Sequence, residues 1–340
     1  MAKRVSVVIV NWNGRRHLEG CLPTLFAQTF TDFEVILVDN GSTDGSVEWV
    51  EAHYPQFCLI RNETNVGFAA GNNQAIRASQ AEFIVTLNND TRAEPGWLAA
   101  LVEAASDPAV GMVASKMLFA DRPTMINSAG IALDPVGIAW DRLGGLPDDP
   151  DEREPLEVFG PCAGAALYRR AMLERIGLFD EDFFAYLEDV DLAWRARLAG
   201  WRCLYAPAAR VYHAHSATGG EGSPFKSRLL ARNKVWLIAK NYGPGGRLLA
   251  YLPLILFYDL AAVAFGLLAR GDAHTLFGRF DGILALPRVW RKRRAVQALV
   301  RSDRGSPWRR YLEPLVWPWQ VPLRYRHIAA LARERATSVG

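Results

Sequence analysis

The first hundred residues alternate short apolar runs with segments of helical periodicity. The apolar runs predict strands at Val5–Val10, Phe33–Val38, Phe57–Ile60 and Glu82–Leu87. The segments between and after them predict helices at His17–Gln28, Asp44–His53, Gly71–Ser79 and Pro95–Ala105. Nearly continuous apolar strands that alternate with helices are typical of an α/β fold, in which helices flank both faces of a mostly parallel sheet.

The pattern becomes less regular after residue 105. Residues 110–160 are rich in Gly, Pro and Asp and predict irregular structure, with a surface loop at Gly144–Pro155. A helix is predicted at Leu187–Leu198, followed by two strands at Trp201–Ala206 and Ala209–His213. The first 225 residues therefore predict one mixed α/β domain.

The last third of the chain differs in charge and in pattern. Residues 1–225 carry 18 Lys and Arg against 30 Asp and Glu, whereas residues 226–340 carry 21 against 6. Ser227–Lys240 predicts an amphipathic helix, and Leu248–Ala269 contains one charged residue, Asp259. We therefore expect a domain boundary near residue 225 and a basic, helical C-terminal region in a different environment.

Three interpretations of the apolar segment Leu248–Ala269 stay open: a bilayer-spanning helix, a helix lying in the membrane interface, and a buried helix of a soluble core. Basic residues at 288–294 and Trp308, Trp317 and Trp319 suit an anionic membrane surface. We see no motif that reads nucleic acid and expect no nucleic-acid partner. Four cysteines without metal-ligand spacing and the absence of a signal-peptide pattern predict a cytoplasmic location, at the inner face of the membrane.

Polar residues follow three of the predicted strands. Asn11, Asp39 and Asp90 stand where ligands bind in parallel sheets, past the carboxyl ends of strands. Asp39, followed by glycine and hydroxyl residues, suits a hydrogen bond to a base or ribose. Asp90 follows Asn88 and Asn89, and this oxygen-rich group suits Mg²⁺ or Mn²⁺ on a diphosphate. A structural turn explains either motif taken alone.

Two further motifs carry titratable side chains. Glu188, Asp189 and Asp191 crowd the first turn of a predicted helix, where the helix dipole favours anions for structural reasons alone. Asp191 can pair with Arg195 one turn later, which leaves Asp189 as the candidate general base. His213 follows a strand and could complete a metal site with Asp90, although a lone histidine is more often structural.

These motifs, in this order, resemble the inverting family-2 glycosyltransferases with the GT-A fold. The resemblance spans roughly residues 5–220 and rests on the motif segments Val5–Gly14, Val38–Ser46, Asn65–Asn73, Leu87–Asp90, Gly160–Arg170, Glu188–Leu192 and His213. The segment Asn65–Asn73 is most similar to the rhamnosyltransferase and galactofuranosyltransferase branch. The first position of the metal motif is Asn88, where the family often has aspartate, so fewer charged ligands are expected.

The resemblance implies a role for each matching residue. Asp39 would contact the base of a dTDP- or UDP-sugar, and Asn11, Asn65 and Asn89 would help to line the donor pocket. Asp90 would hold Mg²⁺ or Mn²⁺ on the diphosphate with the assistance of His213. Asp189 would deprotonate a hydroxyl of a glycan or polyprenyl-lipid-linked acceptor, and a single displacement would invert the anomeric centre.

Two other functions are alternatives to that of a metal-dependent hexosyltransferase. A nucleotide-sugar-binding protein with lost or altered catalysis would keep Asp39 and fail to turn over. A dinucleotide-dependent oxidoreductase would need G-x-G-x-x-G after the first strand, where this chain has Asn11-Trp12-Asn13-Gly14.

Overall fold

The computed structural model describes residues 2–214, 223–243, 247–300 and 310–315, so Trp308, Trp317 and Trp319 lie outside the described residues. The strands are β1 Val5–Asn11, β2 Phe33–Asn40, β3 Cys58–Asn62, β4 Phe83–Leu87, β5 Thr91–Ala93, β6 Val110–Phe119, β7 Ile126–Ser128, β8 Ile131–Leu133, β9 Ala139–Asp141, β10 Leu156–Glu157, β11 Ala165–Arg169 and β12 Arg202–His213. The helices are α1 Arg15–Phe26, α2 Ser46–His53, α3 Gly67–Ala78, α4 Trp97–Ala104, α5 Arg170–Ile176, α6 Glu188–Leu198, α7 Pro224–Asn241, α8 Arg247–Arg270, α9 His274–Leu284 and α10 Leu286–Ala298.

One large mixed sheet organises the domain. Its strands follow the order β10-β12-β6-β11-β4-β1-β2-β3, with β5 paired to β12 and β7 to β6. Strands β4, β1, β2 and β3 are parallel, β11 runs antiparallel between β4 and β6, and β12 is parallel to β6. The expected fold class, a mostly parallel sheet flanked by helices, is confirmed.

Strand β1 shows why the apolar runs are nearly continuous. Successive side chains of a strand point to opposite faces, and here both faces are covered. Val7 and Ile9 pack into a core with the helices α1 and α4, whereas Val8 packs into the core that contains α3 and α6. The strand is therefore apolar towards both layers apart from the buried Ser6, which is hydrogen-bonded to Ser79, and it ends at the polar Asn11.

The prediction of irregular structure over residues 110–160 is wrong at its start. Val110–Phe119 forms β6, a strand buried at all ten positions in the middle of the sheet. Lys116 interrupts its apolar pattern, yet this side chain is 0% exposed because its ammonium pairs with Asp148 at 2.8 Å. The strand was therefore not predicted, because a charged residue that is buried with a partner from a distant loop interrupts its apolar pattern.

A second difference concerns the end of the domain. The two strands predicted at Trp201–Ala206 and Ala209–His213 are one strand, β12, whose register against β6 shifts between Ala206 and Arg210. The shift surrounds Pro207, which has no N–H to donate to a neighbouring strand. The bulge lets the same strand continue to His213.

The C-terminal helices are joined to the sheet domain by ion pairs. Lys240 of α7 is 4% exposed and lies 2.6 Å from Asp180 and 2.8 Å from Asp191. Lys292 of α10 lies 2.7 Å from Asp182. Part of the positive charge after residue 225 therefore neutralises carboxylates of the first 225 residues.

Helix α8 is apolar over most of its length. Leu248–Arg270 is long and apolar enough to cross a membrane, and it is largely exposed, in the part of the chain that the structure describes. Its Asp259 points to the protein, since it lies 2.6 Å from Lys234 of α7 and 2.9 Å from Arg279 of α9.

Replacing Lys240 should destabilise the whole fold. We expect Lys240→Met to lower the free energy of unfolding by about 3 kcal/mol, because two buried carboxylates lose a cation. Denaturant unfolding followed by circular dichroism measures the change. Lys3→Met, which breaks an exposed pair with Asp32, is the control and should cost less than about 1 kcal/mol. Equal effects of the two substitutions would show that the buried pair adds no stability.

Candidate active site

A buried amide at the end of β1 joins three polar motifs. Asn11 donates from Nδ2 to Asp39 Oδ1 at 2.9 Å, and its Oδ1 accepts from Nδ2 of Asn89 at 2.7 Å. Asn11 and Asp39 are register partners on the neighbouring strands β1 and β2, and Asn89 follows β4 on the other side of β1. The structure therefore brings together three of the residues that were predicted to bind the nucleotide-sugar donor.

The turn after β2 orients Asp39. Ser42 donates to this carboxylate twice, from its backbone N–H at 2.8 Å and from its hydroxyl at 2.6 Å. Gly41 has a φ of +72°, and a Cβ there would lie 2.8 Å from the carbonyl oxygen of Glu63, so the turn requires glycine. With Asn11, three donors occupy a carboxylate that can accept about four hydrogen bonds, which leaves one acceptor position for a ligand donor.

Asn65 lies one strand further out, after β3. Its Oδ1 accepts from the N–H of Gly67 at 2.9 Å and from Nδ2 of Asn40 at 3.2 Å. Asn40 follows Asp39 directly in β2. Asn65 therefore supports the first turn of α3 and the end of β2, next to the predicted donor residues.

Asp90 faces His213 across the site. Asp90 Oδ1 lies 3.1 Å from Nε2 of the imidazole, and Nδ1 lies 2.8 Å from Oδ1 of Asn127. Nδ1 carries a proton in this orientation, while Nε2, 3.3 Å from Nδ2 of Asn88, faces the carboxylate. Burial opposes ionisation of Asp90, but the charge and hydrogen bond of His213 outweigh it and lower the pKa of the carboxyl.

The pair of Asp90 and His213 fits a divalent cation. Asp90 Oδ1 and His213 Nε2 lie 3.1 Å apart, close enough for both atoms to contact one cation in place of their hydrogen bond. Among the described residues, no three His, Cys, Asp or Glu side chains form a metal-binding group. Cations such as Mg²⁺ bind through one or two carboxylates together with substrate phosphates and waters, so two protein ligands suffice for a site completed by substrate.

Asp189 stands in the first turn of α6 and is held by backbone N–H groups. Its Oδ2 accepts from Ala163 at 3.1 Å and its Oδ1 from Val190 at 2.8 Å. Burial raises the pKa of Asp189 to about 6, although both N–H groups lower it. Burial also raises the pKa of the neighbouring Glu188 well above its ordinary value. A carboxyl that titrates near neutral pH is suited to accept a proton.

The segment before β11 connects Asp189 to the metal motif. Ala163 donates to Asp189, and the carbonyl oxygen of the next residue, Gly164, accepts from the N–H of Asn88 at 2.8 Å. A Cβ at Gly164 would lie 3.2 Å from Nδ2 of Asn88, so the small residue allows this approach. The backbone at Ala163 and Gly164 therefore links Asp189 to Asn88, two residues before the predicted metal ligand Asp90.

A cleft of about 510 Å³ adjoins these residues at the start of α1. It is lined by Asn13, Gly14, Arg15, Arg16, His17, Glu19 and Asp44. A Cβ at Gly14 would overlap the side-chain amides of Asn89 and Asn11. Gly14, which lines the cleft, is therefore in direct contact with these two residues of the predicted nucleotide-sugar site. The formal charges of this lining balance, since Glu19 and Asp44 oppose the two arginines and Arg15 pairs with Glu19 at 3.3 Å.

The sequence analysis missed two residues of this site. Asn127 of β7 fixes the imidazole of His213, and no spacing in the sequence connects the two residues. Asp141 of β9 interacts electrostatically with both His213 and Asp189, and burial raises its pKa. Both lie in the segment that was predicted to be irregular, where no sequence pattern indicated the strands β7 and β9.

Comparisons with known proteins agree with this geometry. The chain matches Glycosyl transferase family 2 over residues 6–177. It is 33% identical over 260 residues to the N-acetylglucosaminyl-diphospho-decaprenol L-rhamnosyltransferase of Mycobacterium tuberculosis, covering 69% of this chain and 83% of that protein.

Solved structures share the fold at lower identity. GalNAc-T7 with UDP, GalNAc and Mn²⁺ has a TM-score of 0.57 at 19% identity, over 70% of this chain and 48% of that one. A mannosyltransferase from Pyrobaculum calidifontis with GDP-Man and Mn²⁺ has a TM-score of 0.52 at 20% identity, over 88% and 86%. The sequence match and the fold lead to the same conclusion: the chain belongs to glycosyltransferase family 2 and has a GT-A-like fold.

Proposed function

We propose that this chain is an inverting hexosyltransferase that moves rhamnose or a similar hexose from a dTDP- or UDP-sugar to a hydroxyl of a polyprenyl-linked glycan. The proposal rests on one observation. A network of polar side chains around Asn11, which suits a nucleotide-sugar donor, converges with Asp189, a carboxyl whose pKa is raised. The activity for which the mycobacterial relative is named supports the choice of sugar and acceptor.

The donor lies along the ends of β1, β2 and β4. Asp39 uses its remaining acceptor position for the base, and Asn11 and Asn89 hold its carboxylate and the neighbouring turn in place. Asn65 borders the same pocket through Asn40. The prearranged hydrogen bonds reduce the ordering that donor binding requires.

Asp90 and His213 hold Mg²⁺ or Mn²⁺ on the donor diphosphate. The ion, when bound, neutralises charge that develops on the leaving group. Asn88 contributes an amide where the family often has a carboxylate, so cationic side chains take a larger share of this neutralisation. The candidate for this role is Arg16, which lines the adjoining cleft, because Arg15 there already pairs with Glu19 at 3.3 Å.

Asp189 accepts the proton of the acceptor hydroxyl. As it loses its proton, the acceptor oxygen attacks the anomeric carbon on the face opposite the diphosphate. The bond to the diphosphate breaks, and the configuration inverts in one displacement. The N–H groups of Ala163 and Val190 hold both carboxylate oxygens in place, and burial keeps the group basic enough to take the proton.

Asp189→Asn tests the assignment of the base. We expect the rate of transfer to fall about 10²- to 10⁴-fold, because the amide cannot accept the proton. Release of dTDP or UDP in the presence of the lipid-linked acceptor measures transfer. Stabilisation of the fold by the donor with Mn²⁺, measured by thermal shift, should persist.

The matched control is Glu181→Gln, the same chemical change at an exposed carboxylate that pairs with Arg77. It should leave the transfer rate within about twofold, since surface pairs contribute little. Near wild-type transfer by Asp189→Asn would contradict the proposed role. Donor binding by the wild-type chain without any transfer would instead favour a binding protein.

The activity should depend on pH through Asp189. Because the base acts in its ionised form and its pKa is about 6, kcat/KM should fall about tenfold per pH unit well below pH 6 and level off above it. Burial raises this pKa most, and the charge of Asp141 raises it further. The neighbouring Glu188, Cys162 and Tyr168 stay protonated across most of this range because burial raises their pKa values. A profile measured from pH 5 to 8 that is flat would contradict the assignment.

The apolar helix α8 seats the enzyme on the membrane that contains its acceptor. One stripe of the helix faces the protein through Ile255, Tyr258 and Asp259, of which Asp259 is ion-paired. The opposite stripe is exposed, with Leu260 at 70% and Leu268 at 88%. A helix whose middle packs on the protein lies along the bilayer surface rather than across it.

Helix α9 and the start of α10 extend this surface. Phe277, Phe280, Ile283 and Leu284 are exposed on α9, and the exposed Trp290 on α10 stands beside the exposed Arg291 and Arg294. Aromatic and basic residues next to an apolar patch suit the headgroup region of an anionic leaflet. The four free cysteines support our assignment of this surface to the cytoplasmic leaflet.

Charged residues on the exposed stripe should weaken membrane binding. We expect the double substitution Leu260→Asp and Leu268→Asp to reduce partition into vesicles that contain phosphatidylglycerol at least about tenfold, because each leucine contributes roughly 1.5–3 kcal/mol when buried. Co-sedimentation measures the bound fraction. Leu146→Asp, at an exposed leucine of another surface, is the control and should bind as the wild type does. Equal binding by all three proteins would exclude α8 as the docking surface.

A further inference from the structure

The turn that leads into the acidic helix has an unusual backbone. Phe184, Tyr186 and Leu187 have φ values of +65°, +68° and +66°. In this left-handed region a side chain other than glycine costs roughly 1–2 kcal/mol per residue. The turn therefore needs support from its surroundings, and it ends one residue before Glu188 and two before Asp189.

A buried amide on α7 supplies part of this support. Asn233 is 0% exposed, and the two N–H groups of its amide are shared among the carbonyl oxygens of Phe183 at 3.1 Å, Ala185 at 2.9 Å and Tyr186 at 2.8 Å. These three carbonyls belong to the turn itself. Buried carbonyls without a donor are costly, so the amide favours this conformation over others that the turn could adopt.

Neighbouring residues of α7 hold both ends of the same segment. Arg232 donates to the carbonyl oxygens of Asp182 at 3.1 Å and Phe183 at 2.9 Å. Asn241 donates to Asp191 Oδ1 at 2.7 Å, on the far side of Asp189. Helix α7 thus contacts the chain before and after Asp189, and Asn233 contacts the turn between them.

We propose that Asn233 is a positioning residue for the general base. It acts through the backbone of residues 183–187, which sets the start of α6 and thereby the position of Asp189. The inference rests on the proposed role of Asp189 as the base. It makes α7, which lies beyond the segment that matches the family, a part of the catalytic unit.

Removing the amide should affect turnover more than donor binding. Without its donors the turn relaxes towards ordinary backbone angles, and Asp189 moves with the first turn of α6. Displacement of a catalytic group by about 1 Å can cost about 10²-fold in rate. The donor residues at the ends of β1, β2 and β4 keep their own hydrogen bonds, so the KM for the donor should change little.

The test compares Asn233→Ala and Asn233→Asp with Lys234→Met. The aspartate variant keeps the shape of the side chain and loses the amide donors, which separates hydrogen bonding from packing. Lys234→Met is the matched control on α7, because it removes the ion pair with Asp259 while Asp259 keeps Arg279. We expect both Asn233 variants to lower kcat at least about tenfold with the donor KM within about threefold, and the control to stay within about threefold in kcat.

Hydrogen exchange of the full chain gives a readout that does not depend on turnover. Amides of residues 183–190 should exchange faster in both Asn233 variants and at the wild-type rate in Lys234→Met. Unchanged exchange in this segment, or a loss of kcat no larger than that of the control, would overturn the proposal. Failure of the base assignment would show separately, as activity in Asp189→Asn with Asn233 intact.

Discussion

The active site depends on one amide group, that of Asn11, held between two neighbours. Strand β1 lies between β2 and β4. Of these three strands it is the middle one, so its last side chain can contact the ends of both others. Asn11 uses this position fully, donating to Asp39 on one side and accepting from Asn89 on the other. A carboxylate or an apolar side chain could not do both, because this position needs a donor and an acceptor on one short side chain.

The acidic turn of α6 shows how neighbouring carboxyls acquire opposite properties. Burial favours a higher pKa for both Asp189 and Asp191. For Asp191 the charges of Lys240 and Arg195 outweigh burial, so its pKa is lowered. Asp189 is met by backbone N–H groups, which are weaker than a full charge, and its pKa rises to about 6. One carboxylate thereby becomes a structural anchor for α7, and its neighbour two residues away keeps the basicity that proton transfer needs.

The sequence was informative wherever local pattern and burial agree. Each apolar run that ended in a polar residue was a strand, and so Asn11, Asp39 and Asp90 could be assigned to one edge of the sheet. The pattern failed where a charged side chain was buried with a distant partner, as with Lys116 and Asp148 in β6. It also could not find Asn127 or Asn233, because their partners lie 86 and about 50 residues away in the chain and no periodicity links such positions.

The charge imbalance between the two parts of the chain acquires a different meaning from the structure. The sequence suggested separate environments, yet Lys240 and Lys292 pair with carboxylates of the sheet domain, so part of the imbalance is internal neutralisation. The ion pairs also account for Asp259, a charged residue in an otherwise apolar helix. Since its carboxylate faces Lys234 and Arg279, the stripe left to the outside of α8 is apolar. The same helix bundle can therefore present an apolar surface to lipid, as proposed, while α7, on its inner side, contacts the turn that precedes Asp189, the proposed base.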